Sequence, residues 1–142
     1  MINITEGLAK DALPHMQEFI NNRPSQFPDV LSAVRHAIMS KTVLDNRSAG
    51  VSVPSLIHSA WDEIKQEEIH VWRTDLASTM PFWEQWFEDL NEIFFSCLAR
   101  KWIFLSDKDN LDDSLYAKAE GGKFTPVIFQ RVGFNMHEDQ PK

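Results

Sequence analysis

The chain has 142 residues, 43% of them hydrophobic and 25% charged, with a formal net charge of −7 and one cysteine. That length suits one domain, 1–142, able to bury roughly two thirds of its unfolded surface, and the composition lies away from the low-hydrophobicity, high-charge corner of disordered chains. Cys97 alone excludes an internal disulfide and a cysteine-built zinc site, and the acidic balance argues against direct contact with nucleic acid, which needs a basic patch.

At the start, Met1-Ile2-Asn3-Ile4-Thr5-Glu6 lacks the basic region and apolar run of a secretory signal. The apolar stretch from Ile93 to Leu105 is interrupted by Arg100 and Lys101 and is too short to span a bilayer. The expectation is a cytoplasmic protein without membrane contact, cofactor or metal.

Thr5 is placed to cap a first helix, with Glu6 in its first turn and Leu8, Ala9, Ala12, Leu13, Met16, Phe19 and Ile20 at helical spacing up to Asn22; Pro14 should kink it. Residues 23–28 read as a turn. Pro28 suits the first position of a second helix, marked by Val30, Leu31, Val34, Ile38 and Met39 and ending near Lys41 to Leu44. The run Asp45-Asn46-Arg47-Ser48-Ala49-Gly50 is the clearest loop and a candidate hinge.

Pro54 opens a third helix whose stripe reads Leu56, Ile57, Ala60, Trp61, Ile64, Val71 and Trp72, running to about Ala77. Ser78 or Thr79 caps a fourth, in which Trp83, Trp86, Phe87, Leu90, Ile93, Phe94, Cys97 and Leu98 follow at close to 3.6-residue periodicity. A break at residues 106–110 precedes a short helix over Leu111 to Glu120, ended by Gly121-Gly122. Phe124 to Phe134 is rich in β-formers and suits a strand paired with Trp102 to Leu105, with Pro126 confining it to an edge. The predicted fold is mainly α, a bundle-like arrangement of four to five helices closed by a short carboxyl-terminal strand or hairpin.

Charge is unevenly distributed. Residues 61–92 hold nine acids against Lys65 and Arg73, which is the whole net charge, together with four of the five tryptophans. On a continuous fourth helix Glu84, Glu88 and Glu92 form one ridge at i, i+4 with Asp89 beside it, a like-charge arrangement that costs a few tenths of a kcal/mol per pair. An arginine from another element (Arg23, Arg35, Arg47 or Arg131), or solvent, is the simple answer to that ridge. A docking face for a basic partner is the sharper one. Phe95 and Trp102 project on the acidic side of the same helix, to be covered by the chain's own tail or by a partner. Glu68 and Asp75 fall inside the apolar stripe of the third helix, where a carboxylate needs a partner.

Little local chemistry stands out. Glu67 and His70 have the Glu-x-x-His spacing of carboxylate-bridged dimetal bundles, but no second copy exists and both lie off the apolar stripe. Cys97 belongs to the buried stripe, and Gly121-Gly122-Lys123 lacks the spacing of a phosphate loop. No catalytic residues are assigned. The function expected from charge is a small acidic protein-binding module without catalysis, docking through Glu84, Glu88, Asp89, Glu92, Phe95 and Trp102 on a basic protein surface such as a nuclease or nucleic-acid-binding protein. It would act in the manner of immunity proteins, antitoxins or inhibitors that imitate nucleic acid. The alternatives are a homo-oligomeric assembly subunit and, behind it, a metalloenzyme built on Glu67 and His70.

Overall fold

Thr5 has extended backbone and its carbonyl accepts the Ala9 N–H at 3.0 Å, which starts the first helix where the sequence places it. The computed structural model describes residues 2, 5–107, 111 and 113–140; part of the amino-terminal reading and of the break expected at 106–110 lies outside the described residues. Along the chain run α1 (Glu6–Ala12), a 3-10 turn (Leu13–His15), α2 (Met16–Asn22), β1 (Gln26–Phe27), α3 (Val30–Met39), α4 (Asn46–Ser52), a 3-10 turn (Val53–Leu56), β2 (Ile57–Asp62) and β3 (Glu67–Trp72). There follow α5 (Leu76–Thr79), a 3-10 turn (Met80–Phe82), α6 (Trp83–Phe87), α7 (Leu90–Ser96), β4 (Trp102–Leu105), α8 (Asp113–Glu120), β5 (Thr125–Ile128) and α9 (Met136–Asp139). About half the described residues are helical. No helix among them is long and apolar enough to cross a membrane.

The chain divides into two compact units, one from Met1–Glu18 with Thr79–Arg131, the other from Phe19–Ser78 with Val132–Lys142. In the first, β4 and β5 lie parallel, Trp102 opposite Thr125 and Leu105 opposite Ile128, with Ile2 bridging to Phe104. Parallel strands need a crossover, and α8 supplies it. Gly121 and Gly122 close α8, Gly122 at φ 68, so the helix falls within Leu111 to Glu120 and the paired strand occupies the first part of Phe124 to Phe134. The core of this unit is Ile103, Leu105, Leu111, Leu115 and Phe124, with Phe94, Phe95 and Ala119 packed against it.

In the second unit three antiparallel strands take the order β1-β3-β2, with Ile57 opposite Trp72, Asp62 opposite Glu67 and Phe27 opposite His70. Its core is Phe27, Ala33, Ala37, Val43, Ala49, Val53 and Ile57. Asp29 caps α3, its Oδ1 accepting the Ser32 N–H at 2.6 Å, so Pro28 precedes the helix and does not take its first position. The helix ends at Met39, and Lys41, just past the cap Ser40, takes the left-handed φ of 59.

These elements correct the predicted helical bundle. The expected loop at 45–50 is α4: the Ser48 N–H donates to Asp45 Oδ1 at 2.7 Å, and Ala49 and Val53, four residues apart, are both buried. Asp, Asn and Ser favour helix caps as strongly as turns, so their cluster marks a helix start. The expected third helix is a β-hairpin. Asp62 Oδ1 accepts the N–H groups of Ile64 (3.0 Å) and Lys65 (3.1 Å), its carbonyl accepts the Gln66 N–H (2.8 Å), and Gln66 turns the chain at φ 55. β-Branched and aromatic residues satisfy strand pairing as well as helical spacing, and the pairing of β3 with β2 and with the distant β1 decides between them.

The expected fourth helix breaks at Glu88, which is extended, and Asp89, which sits at φ 57. It breaks again at Cys97, which is extended and exposed instead of buried in a stripe. Trp102 belongs to β4, because pairing with β5 satisfies that backbone. Of the tryptophans, Trp83 is buried and Trp72 half-buried, while Trp61 and Trp86 are exposed.

Candidate functional site

Glu84 lies on α6, Glu88 and Asp89 in the break, and Glu92 on α7, all four exposed. The left-handed turn at Asp89 removes the continuous i, i+4 ridge, since that spacing aligns side chains only along one helix. Lys10 of α1, which local pattern did not single out, provides positive charge here. Its amine donates to Glu6 Oε1 at 2.8 Å, and this bond, reinforced by the fields of Glu6, Glu88 and Asp89, holds its pKa above the ordinary value. Glu6 is held below its own ordinary value first by that bond and next by the Asn91 N–H, 2.9 Å from Oε2.

Phe95 is half-buried between Phe94 (ring centroids 5.1 Å) and Phe124 (5.9 Å), with Lys118 Nζ 4.3 Å above its ring. Trp102 is 47% exposed and stacks on Phe104 at 6.5 Å. The structure thus separates the six predicted contact residues among two helices, a break, the unit's core and a strand.

Glu67 and His70 are three positions apart on β3, which turns them to opposite faces of the strand; the adjacent-turn geometry of a dimetal site is not formed. Glu68 is exposed across from Trp61. Asp75 is exposed as well, its Oδ1 accepting the Ala77 (3.0 Å) and Ser78 (3.4 Å) N–H groups, so neither carboxylate sits in an apolar stripe.

Two polar constellations emerge that sequence reasoning missed, both in the second unit. The first is the carboxyl-terminal loop. Asp139 Oδ1 accepts the Leu44 and Asp45 N–H groups at 2.7 Å each, and Oδ2 accepts the Gly133 N–H at 2.6 Å. The Ser48 hydroxyl donates to the Glu138 carbonyl at 2.6 Å, Asn135 Nδ2 donates to Glu138 Oε1 at 3.2 Å, and His137 Nε2 lies 3.9 Å from the same oxygen. An exposed imidazole beside a carboxylate has the elements of an acid–base pair. The Ser48 proton is committed to a carbonyl, however, and among the described residues no histidine is hydrogen-bonded to a serine, threonine or cysteine.

The second constellation surrounds Trp72. Its Nε1–H donates to the Pro24 carbonyl at 2.7 Å, its ring meets Phe27 edge-on at 5.2 Å, and the Arg23 guanidinium lies 3.6 Å from the ring centroid. A cleft of about 260 Å³ opens beside this stack. Pro24 and Trp72 are 48 residues apart, and Asp139 and Leu44 are 95 apart, so no local spacing announces either arrangement.

No family model matches the chain. It is 36% identical over 141 residues to a protein phosphatase methylesterase 1 from Aspergillus oryzae, which covers 99% of this chain and 33% of that protein. It is 37% identical over 141 residues to the protein of that name from Emericella nidulans (99% and 35%). It is 35% identical over 142 residues to a probable protein phosphatase methylesterase 1 from Caenorhabditis elegans (100% and 38%). The chain spans about a third of the length of these relatives. An enzyme name recurring across relatives of this similarity overturns the expectation of a non-catalytic inhibitor of the immunity-protein or antitoxin type, and with it the expectation that the chain is unconnected with catalysis.

Proposed function

We propose that this chain serves in hydrolysing a methyl ester on a protein phosphatase, as one part of the enzymatic machinery. The observation that supports the reading is similarity running through 99% of the chain to proteins named for that activity. Water is the co-substrate, and a carboxylate and methanol are the products. Such hydrolysis needs a nucleophile, a base that takes its proton and donors for the oxyanion. The described residues hold no nucleophile–base hydrogen bond, so in this reading the chain shapes and supports a site that other groups complete.

Methyl-esterified protein phosphatase, incubated with this chain together with the part of the Aspergillus oryzae relative that it does not match, should lose its ester and release methanol. The Aspergillus oryzae relative serves as the positive control. No release under conditions where that relative is active overturns the reading. The 142 residues alone should show no turnover. Turnover by them would place a complete nucleophile–base pair within the chain and overturn the supporting role.

A further inference from the structure

Arg23 carries a charge that the fold positions without neutralising. Its platform is fixed by two contacts: the Trp72 Nε1–H donates to the Pro24 carbonyl and the ring meets Phe27 edge-on, with the guanidinium over its face. Stacking satisfies the π-facing side of a guanidinium but leaves the N–H donors in its plane free for a planar acceptor. Among the described residues no carboxylate lies within 4.0 Å of Arg23, and none of them accepts a hydrogen bond from its side chain. Burial holds its pKa below the ordinary arginine value, as expected for a cation partly removed from water. A half-buried, unpaired cation costs free energy that a bound anion would offset.

The adjoining cleft defines the rest of the ligand. Its walls include Ile20, Pro24, Val71 and Leu76, which match a hydrocarbon body, and its volume of about 260 Å³ falls just below the range of drug-sized sites. Asp75 also lines it. With one cation and a carboxylate in the wall, a single negative charge fits better than the double charge of a phosphate monoester. We infer that this cleft binds a small monocarboxylate with an apolar body, the carboxylate engaging the edge of Arg23 and the body resting against Ile20, Val71 and Leu76. The inference stands independently of the ester-hydrolysis reading.

The test is titration of the 142-residue chain with sodium 3-phenylpropionate, followed through the indole N–H resonance of Trp72 and the Nε–H resonance of Arg23. Saturable shifts at both are expected. The neutral 3-phenylpropionamide should bind at least about tenfold more weakly, as should phenylphosphonate, and Arg23→Gln should weaken the acid by a similar factor with Arg23→Lys in between. Absence of shifts, shifts confined to other residues, equal binding of acid and amide, or tighter binding of the phosphonate would each overturn the inference. Should Arg23→Gln fail to fold, the acid and amide titrations of the natural chain still decide the matter.

Discussion

The Gly133 N–H donates to Asp139 Oδ2 at 2.6 Å, while the other oxygen of the same carboxylate takes the N–H groups of Leu44 and Asp45. One half-buried side chain thus joins the loop after Val132 to the segment between α3 and α4. Replacing it leaves three backbone donors without their acceptor. Asp139→Ala should lower the stability of the second unit by about 2 kcal/mol, and Asp139→Asn by less because an amide oxygen still accepts. Urea unfolding measures both, and an unchanged midpoint for Asp139→Ala would contradict this account.

Gly133 sits where a Cβ would come within 2.5 Å of the Lys41 carbonyl oxygen and 3.0 Å of that of Thr42. Both neighbours are backbone, and their oxygens accept the N–H groups of Phe134 and Asn135. Gly133→Ala should therefore destabilise by more than about 2 kcal/mol. Gly50, in α4, has nothing within 4 Å of its own Cβ position. Gly50→Ala should stabilise by about 0.5–1 kcal/mol through helix propensity and a less free unfolded chain. Thermal unfolding of the two variants should give shifts of opposite sign.

His36 packs against Phe27 (5.7 Å) and Trp72 (6.5 Å), and burial first, then the charge of Arg23, holds its pKa below the ordinary 6.5. The unfolded chain therefore binds this proton more readily than the folded one. The stability that a neutral His36 contributes is complete above pH 6.5 and declines as pH falls toward its lowered folded value. Asp29, Asp45, Asp62 and Glu6, also held below their ordinary values, act only at lower pH. Urea midpoints should fall between about pH 7.5 and about pH 5.5, and His36→Gln should flatten that slope. An equal slope in the variant would remove His36 as its source.

Leu115 is 0% exposed in the core formed with Ile103, Leu105, Leu111 and Phe124. Leu115→Ala should cost about 2–5 kcal/mol through lost burial and the cavity left behind. Hydrogen exchange should show the loss in the amides of β4 and β5. Unaltered exchange there would mean that α8 does not support the strand pair.

Local chemistry in the sequence was enough for the elements whose signals are local. Pro14 divides α1 from α2, α3 starts at Val30, two residues after the expected Pro28, Gly121-Gly122 ends α8, and the β-formers beyond Phe124 pair with Trp102 to Leu105. The acidity of residues 61–92 is likewise a property of composition. What the tertiary structure decided were the ambiguous segments. Ile57 to Trp72 carries helical spacing and β-propensity together, and the register of its two halves with each other and with Gln26 and Phe27 selects strands. Glu84 to Trp102 reads as one helix until Asp89 turns left-handed and β5 claims Trp102. The same holds for the sites: Arg23 over Trp72, and Asp139 over Gly133, Leu44 and Asp45, depend on contacts between distant residues. No spacing rule encodes such contacts, because side chains far apart in sequence meet only once packing has fixed the backbone between them.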